Sequence, residues 1–134
     1  MKPRLIVLPK IGKPDLGYLT ILQEGGENLD FEIKRVYWTY FTPNHVERGN
    51  HAHKNLKQII VAVSGIIDFK LIGQDEQTYE FTLDSPEKAL FIPAGYWREI
   101  RFSHSAVLLC LASEKYIESD YLRNYEDFLN FRNG

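Results

Sequence analysis

Two histidines are the residues of this sequence best suited to chemistry. They form a His-x-His pair, in which one alanine separates His51 from His53. Because side chains alternate along a strand, both imidazoles would lie on one face of a strand, roughly 6–7 Å apart. Such a pair can bind a metal, transfer protons as general acid and base, or serve a structural purpose. The spacing alone leaves these three uses open.

The elements that must position this pair are predicted to be β-strands. Apolar, β-branched and aromatic residues recur with a period of two between turn signals rich in Gly, Pro and Asn. Eight short segments show this pattern, which is typical of a sandwich or barrel. They are residues 18–23, 32–40, 58–63, 66–71, 79–83, 89–92, 97–102 and 106–112. Helical spacing is confined to residues 120–131, so we expect one terminal helix.

The predicted strand at residues 32–40 carries polar side chains on one face. Arg35 and Tyr37 lie on that face, whereas Trp38 and Tyr40 lie on the other. If the first face points into a barrel, its polar groups are buried and need partners or a ligand. The aromatic face would also suit a core or a subunit interface, so the pattern leaves the orientation open.

Length and charge limit the organisation and the partners of the chain. The 134 residues suit one domain, which we assign to residues 1–134. A formal net charge of −2 provides no broad basic field for nucleic acid or an anionic membrane. Any anionic ligand must therefore be met by local cations.

Cysteine content and hydropathy favour the cytoplasm. The single cysteine, Cys110, cannot form an internal disulfide, and the first residues show no secretory signal pattern. The longest uncharged apolar stretches, residues 59–67 and 106–113, are about half as long as a membrane-spanning helix. We expect a cytoplasmic protein without a membrane span.

Two motifs resemble those of the cupin superfamily. The run GNHAHKNLKQ at residues 49–58, followed by Gly65, is similar to a cupin motif in which two histidines precede an acidic metal ligand. The run PAGYWR at residues 93–98 is similar to a second motif, which ends in another histidine ligand. Here Gln58 stands in place of the acidic residue and Arg98 in place of the last histidine.

These departures argue against a metal. An arginine cannot deprotonate, so it would place a fixed positive charge beside the ion, and the amide is a neutral ligand. We therefore expect no metal. A cation opposite two titratable histidines better suits an anionic intermediate or a phosphate.

Four stretches together resemble the dTDP-sugar 3,4-ketoisomerase family. The resemblance implies a cupin jelly roll that converts dTDP-4-keto-6-deoxyglucose into a 3-keto sugar, on the way to 3-amino-3,6-dideoxyhexoses of surface polysaccharides. No cofactor is needed, because the electrons stay within the substrate. The stretches are residues 31–37, 48–54, 92–100 and 116–121.

The resemblance also implies roles for individual residues. His51 is the leading general base, His53 is its acid or relay partner, and Tyr37 assists them. The diphosphate is expected at Arg48. The remaining predicted substrate-binding residues are Arg98, Tyr18, Arg35, Gln58 and Lys54.

These binding residues differ in what they are expected to contact. Arg35 and Lys54 are weaker candidates for the diphosphate, and Gln58 either binds the substrate or is a structural amide. Tyr18 together with Arg98 resembles the family pairing that yields the gluco rather than the galacto product.

Two other functions fit the same resemblance. A cupin dTDP-sugar epimerase also needs a histidine base, and a cupin that only binds sugar nucleotides would conserve the pocket without turnover. A metal-dependent oxygenase is a third alternative, which the ligand substitutions disfavour. The family expectation is a homodimer, in which the apolar segment at residues 5–8 is a candidate strand for exchange between subunits.

Overall fold

Two antiparallel sheets of five strands each form the body of the protein. A computed structural model describes residues 1–131, so the last three residues of the predicted domain, 132–134, lie outside the described residues. The strands are β1 (Arg4–Val7), β2 (Ile11–Lys13), β3 (Gly17–Leu19), β4 (Arg35–Thr39), β5 (Glu47–His53), β6 (Gln58–Ser64), β7 (Ile67–Ile72), β8 (Thr78–Leu83), β9 (Lys88–Ile92), β10 (Trp97–Phe102), β11 (Val107–Ala112) and β12 (Tyr121–Leu122).

The sheets face each other across one apolar core, which makes the fold the predicted cupin jelly roll. Sheet 1 has the order β1-β9-β6-β11-β4 and sheet 2 the order β12-β5-β10-β7-β8, while β2 and β3 form a separate hairpin. Side chains of both inner faces meet in the core, among them Ile60, Leu90, Leu108, Phe69 and Ile100. The all-β fold class with a short C-terminal helix is therefore confirmed.

The N-terminal segment covers part of the outer face of sheet 1. Leu8 and Leu29 pack there against Ile59, Val61 and Phe91, which project from β6 and β9 away from the main core. Because this cover buries the outer face of β6, its first five residues are buried on both sides. This explains why its sequence is a continuous apolar run rather than an alternating one.

The C-terminal helix is shorter than predicted. The helix α1 spans Tyr125–Asn130, and the Asn124 side chain caps its first turn. Before it, Glu118–Asp120 form a 3-10 turn, and β12 pairs with β5. In the first part of the predicted helix, Tyr121 and Leu122 pair with the backbone of β5 instead of forming a helical turn, because this tertiary contact outweighs helical propensity.

Most predicted strands are present, with their ends shifted by at most three residues. The segment at residues 18–23 is the exception, because β3 ends at Leu19. The strand β5 was absent from the eight predicted segments, and it carries both histidines. Within residues 1–131, no helix is long and apolar enough to cross a membrane.

Candidate active site

A β-bulge positions the His-x-His pair. Arg98 of β10 pairs with His51, but the next residue of β10 pairs with Gly49, so Asn50 is an extra residue in β5. Gly49 and Asn50 have φ values of 92° and 54°, which a bulge of this kind requires. The bulge also brings Arg48 opposite Ile100, a residue of the inner core. Arg48 and His51 therefore lie on the same side of sheet 2.

Both imidazoles are oriented by hydrogen bonds at Nδ1. In His51, Nδ1 lies 2.9 Å from the Gly49 carbonyl oxygen, and in His53 it lies 3.1 Å from Oδ2 of Asp120. Neither oxygen can donate a hydrogen bond, so Nδ1 carries the proton in each ring. The two Nε2 atoms are consequently unprotonated in the neutral rings and can accept a proton.

Burial keeps both histidines neutral. It lowers the pKa of His51 to about 4, with the positive charge of Arg98 as the second cause. The pKa of His53 is lowered further by burial and by Arg98, then by His51 and Arg35. At neutral pH both rings are therefore bases rather than imidazolium ions.

The ring of Tyr121 packs against both imidazoles. Its ring centroid lies 4.4 Å from that of His53 and 5.2 Å from that of His51, while the two imidazoles are 5.0 Å apart and nearly perpendicular. The Arg123 guanidinium lies 4.1 Å above the Tyr121 ring and is paired with Glu118.

Asp120, Tyr121 and Arg123 had no role in the sequence prediction. The first two fall in a stretch that resembles the ketoisomerase family, which was the available signal for them. Asp120 and Tyr121 contact β5 across a long separation in sequence, so the local sequence pattern does not show these contacts.

A chain of hydrogen bonds runs through the barrel beside the histidines. The Arg98 guanidinium donates to Gln58 Oε1, which orients the amide so that Nε2 donates to Tyr37 Oη at 2.9 Å and to Cys110 Sγ at 3.2 Å. Gln58 is thus engaged at both ends of its amide. Burial raises the pKa of Tyr37, so the phenol stays protonated and can donate a hydrogen bond.

Arg98 is a buried cation. It is 2% exposed, and it also donates to the Tyr96 carbonyl oxygen at 3.2 Å. Among the described residues, the buried Nε atoms of Arg98 and Arg35 have no hydrogen-bond partner. A buried guanidinium whose partners are neutral favours an anion nearby.

The donor set does not fit a divalent metal. Gln58 and Arg98 stand at the two remaining positions that hold metal ligands in cupins. The Gln58 oxygen accepts a hydrogen bond from the Arg98 guanidinium, which stays positively charged. Within residues 1–131, no group of three or more His, Cys, Asp or Glu side chains could hold an ion.

The other predicted binding residues occupy different places. Arg35 lies on the inner face of β4, with its guanidinium 5.4 Å from the Tyr37 ring. Arg48 is exposed on the inner side of sheet 2. Lys54 faces the C-terminal segment, with its ammonium 5.8 Å from the Phe131 ring. Tyr18 lines a groove with Val61 on the outer face of sheet 1, beneath the Lys10 ammonium.

Comparison with known proteins finds a matching family model and a similar curated protein. A family model described as "FdtA: WxcM-like, C-terminal" matches residues 1–133. The TDP-4-oxo-6-deoxy-alpha-D-glucose-3,4-oxoisomerase of Aneurinibacillus thermoaerophilus is 37% identical over 116 residues, which cover 86% of this chain and 82% of that protein.

Solved structures agree in fold over nearly the whole chain. QdtA, a sugar 3,4-ketoisomerase from Thermoanaerobacterium thermosaccharolyticum solved with TDP, is 35% identical, with a TM-score of 0.89 over 96% of this chain and 93% of that one. The WlaRB TDP-quinovose 3,4-ketoisomerase of Campylobacter jejuni is 37% identical, with a TM-score of 0.89 over 96% and 98% of the two chains. WlaRA, a TDP-fucose-3,4-ketoisomerase of the same organism, is 26% identical, with a TM-score of 0.86 over 96% and 94%.

The family match spans almost all of the sequence, and the curated relative exceeds 30% identity over most of both chains. The chain therefore belongs to the TDP-sugar 3,4-ketoisomerase family, a family of isomerases, as its motifs predicted.

Proposed function

We propose that this chain converts dTDP-4-keto-6-deoxyglucose into dTDP-3-keto-6-deoxyglucose. The observation that carries the proposal is a pair of neutral imidazoles with unprotonated Nε2 atoms beside the buried Arg98, which is linked through Gln58 to the Tyr37 phenol. The related Thermoanaerobacterium enzyme was also solved with TDP-4-keto-6-deoxyglucose, as a mutant carrying asparagine in place of a histidine. The substrate class of the relatives matches the chemistry available here.

The proposed reaction consists of proton transfers alone. His51 or His53 takes the C3 proton through Nε2, and the electron pair of the C–H bond becomes the C3–C4 double bond of an enediolate. The oxyanion on O4 is protonated, O3 loses its proton, and C4 receives a proton as the C3 carbonyl forms. Tyr37 and Arg98 stabilise the developing oxyanion, because both can donate a hydrogen bond to it.

Local arginines are proposed to bind the diphosphate. Arg48 lies on the side of sheet 2 that carries His51, and its charge contributes to the lowered pKa of that histidine. Arg35 presents a buried Nε without a partner among the described residues. Lys54 is the weaker candidate, because its ammonium lies near Phe131. Gln58 is proposed to act through its hydrogen bonds to Tyr37 and Arg98.

The gluco product is proposed on two grounds. In sequence, Tyr18 and Arg98 resemble the gluco-type family pairing, although the single chain places Tyr18 on the outer face of sheet 1 and Arg98 inside the barrel. The chain is also 37% identical to the TDP-quinovose enzyme but 26% identical to the TDP-fucose enzyme. Quinovose and fucose are the 6-deoxy forms of glucose and galactose. NMR of the product after trapping by an aminotransferase gives the C4 configuration directly. A galacto configuration at C4 would contradict the proposal.

A coupled assay tests the proposed activity. The 4-keto sugar is supplied together with a dTDP-3-keto-sugar aminotransferase that has been verified separately, and a 3-amino sugar is the expected product. His51→Asn is expected to lose turnover while it retains affinity for the substrate. Retained turnover in that variant, or no 3-amino sugar with the wild type, would remove the proposal.

Deuterated water separates the isomerase from an epimerase. An epimerase would exchange protons at C3 or C5 without moving the carbonyl, whereas the isomerase incorporates deuterium at C4 of a 3-keto sugar. A protein that only binds sugar nucleotides would incorporate deuterium at none of these three carbons.

The cytoplasmic location stays a prediction from sequence.

A homodimer formed through the outer face of sheet 1 is also proposed. Trp38 is 60% exposed and Val63 44% exposed on this face. They lie on the same face as the groove of about 540 Å³ that Tyr18, Leu109 and other apolar residues line. A contiguous apolar surface of this kind is typical of an interface, and a second copy is the proposed occupant. In the single chain β1 pairs with β9. If β1 were exchanged between subunits, it would pair in the same way with β9 of the second copy.

A further inference from the structure

Asp120 is tied to the end of β5 through its backbone and its side chain. Its carbonyl oxygen accepts a hydrogen bond from the Lys54 N–H at 2.8 Å, and its Oδ1 accepts one from the Asn55 N–H at 2.7 Å. Its own N–H donates to the Ile117 carbonyl oxygen at 3.0 Å. These bonds fix the carboxylate, which belongs to a residue only 9% exposed, beside the last residue of β5.

The other carboxylate oxygen faces the second histidine of the pair. His53 Nδ1 lies 3.1 Å from Asp120 Oδ2, whereas His51 donates to a neutral backbone carbonyl instead. The two histidines thus share a tautomer but differ in the charge of the group that holds it. A carboxylate stabilises an imidazolium more strongly than a carbonyl does, because it carries a full negative charge.

We infer that Asp120 is a positioning residue that holds His53 in its Nδ1–H tautomer and stabilises the imidazolium formed when Nε2 accepts a substrate proton. This inference rests on the proposed function. The proton that His53 accepts is that of C3 if His53 is the base, or that of O3 if His51 is the base and His53 its relay partner. In the first case the electron pair of the C–H bond stays on the substrate as an enediolate, and in the second the electron pair of the O–H bond stays on O3 as the C3 carbonyl forms. Asp120 keeps its own charge throughout.

Asp120→Asn separates this role from simple anchoring. The Asn55 N–H can only donate, so the new amide must place its oxygen there and its NH₂ group toward His53 Nδ1. That arrangement keeps the structural bond but moves the imidazole proton to Nε2, where it blocks proton acceptance. Asp127→Asn is the matched control, because it makes the same change on an exposed part of α1.

The experiment combines histidine ¹⁵N NMR with kinetics of the full chain. We expect His53, assigned by comparison with His53→Asn, to be protonated at Nδ1 in the wild type and at Nε2 in D120N. We also expect kcat to fall by about 100-fold or more in D120N, with KM little changed. In the His53→Asn background, D120N should have no further effect on kcat. D127N should match the wild type in every measurement.

Any one of three results would overturn the inference. An unchanged His53 tautomer in D120N does so, as does a changed tautomer with wild-type kcat or an equal loss of kcat in the His53→Asn background. If D120N does not fold, the wild-type spectrum decides, because a proton on Nε2 of His53 would exclude the role. A wild type without isomerase activity overturns the proposed function as well, whereas an active wild type with an unaffected D120N overturns this inference alone.

Discussion

The neutral state of the two histidines is what would let them act as bases at physiological pH in the proposed reaction. An ordinary histidine titrates near 6.5, but burial and the nearby Arg98 lower the pKa of His51 to about 4. In the proposed reaction the buried guanidinium would have two opposite effects. It makes the imidazoles weaker bases before the reaction, and it would stabilise the enediolate that forms after proton removal.

This electrostatic arrangement predicts an unusual pH dependence. Because the active form is the neutral base, kcat/KM should stay nearly constant as the pH falls from about 8 to about 5 and decline only toward the pKa of His51, about 4. Direct NMR observation of isomerisation avoids the pH dependence of a coupling enzyme. An acidic limb centred near 6.5 would show that the catalytic histidine titrates normally.

Gln58 is predicted to stabilise the fold and the site together. Replacing it with leucine removes the acceptor of the buried Arg98 guanidinium and the donor to Tyr37. We expect the free energy of unfolding in urea to fall by about 3 kcal/mol, since buried polar groups are left without partners. Activity should also fall, because Arg98 and Tyr37 lose their orientation. The control is Gln77→Leu at an exposed turn position, and an equal effect there would contradict the prediction.

At the scale of elements, the bulge in β5 decides which side chains enter the pocket. Without the bulge, regular alternation along β5 would place Arg48 and His51, which are three residues apart, on opposite sides of sheet 2. The bulge needs a positive φ at Gly49, and a Cβ there would lie 2.8 Å from the Arg98 carbonyl oxygen. The glycine therefore allows β5 and β10 to approach closely beside the histidines.

Gly49→Ala tests this role of the bulge. We expect a loss of about 2 kcal/mol or more in the free energy of unfolding, together with a large loss of kcat, because backbone strain and the clash with β10 shift His51. Gly25→Ala is the matched control: its φ is also positive, at 74°, but an added Cβ would meet nothing within 4 Å. Similar losses in stability and activity for the two variants would refute a specific role for the bulge.

At the scale of the whole molecule, the exposed apolar face of sheet 1 predicts the oligomeric state. Trp38→Lys places a charge within the proposed interface, so the molar mass measured by light scattering should fall from that of a dimer to that of a monomer. Ile66→Lys is the control, since it changes a residue of similar exposure in the turn between β6 and β7. A monomeric wild type, or a Trp38→Lys dimer, would argue against this interface.

The fold class and most of the strands could be predicted from the sequence alone. Alternation of residue types put Arg35 and Tyr37 on one face of β4 and Trp38 on the other, but it left open which face points inward, and the structure places Arg35 and Tyr37 inside. The His-x-His motif carried the resemblance to cupins, and the four stretches at residues 31–37, 48–54, 92–100 and 116–121 carried the resemblance to the ketoisomerase family. These features are local or nearly local, so they can be read without knowing how distant segments meet.

Only the tertiary structure decided the environment of those residues. The bulge that places Arg48, the Asp120 carboxylate at His53 and the orientation of the Gln58 amide all depend on contacts between segments that are distant in sequence. The same contacts limited the predicted terminal helix, because β12 pairs with β5. Residue types limit which chemistry is available, but burial and partner charge set protonation and tautomer, and these arise only when the chain folds.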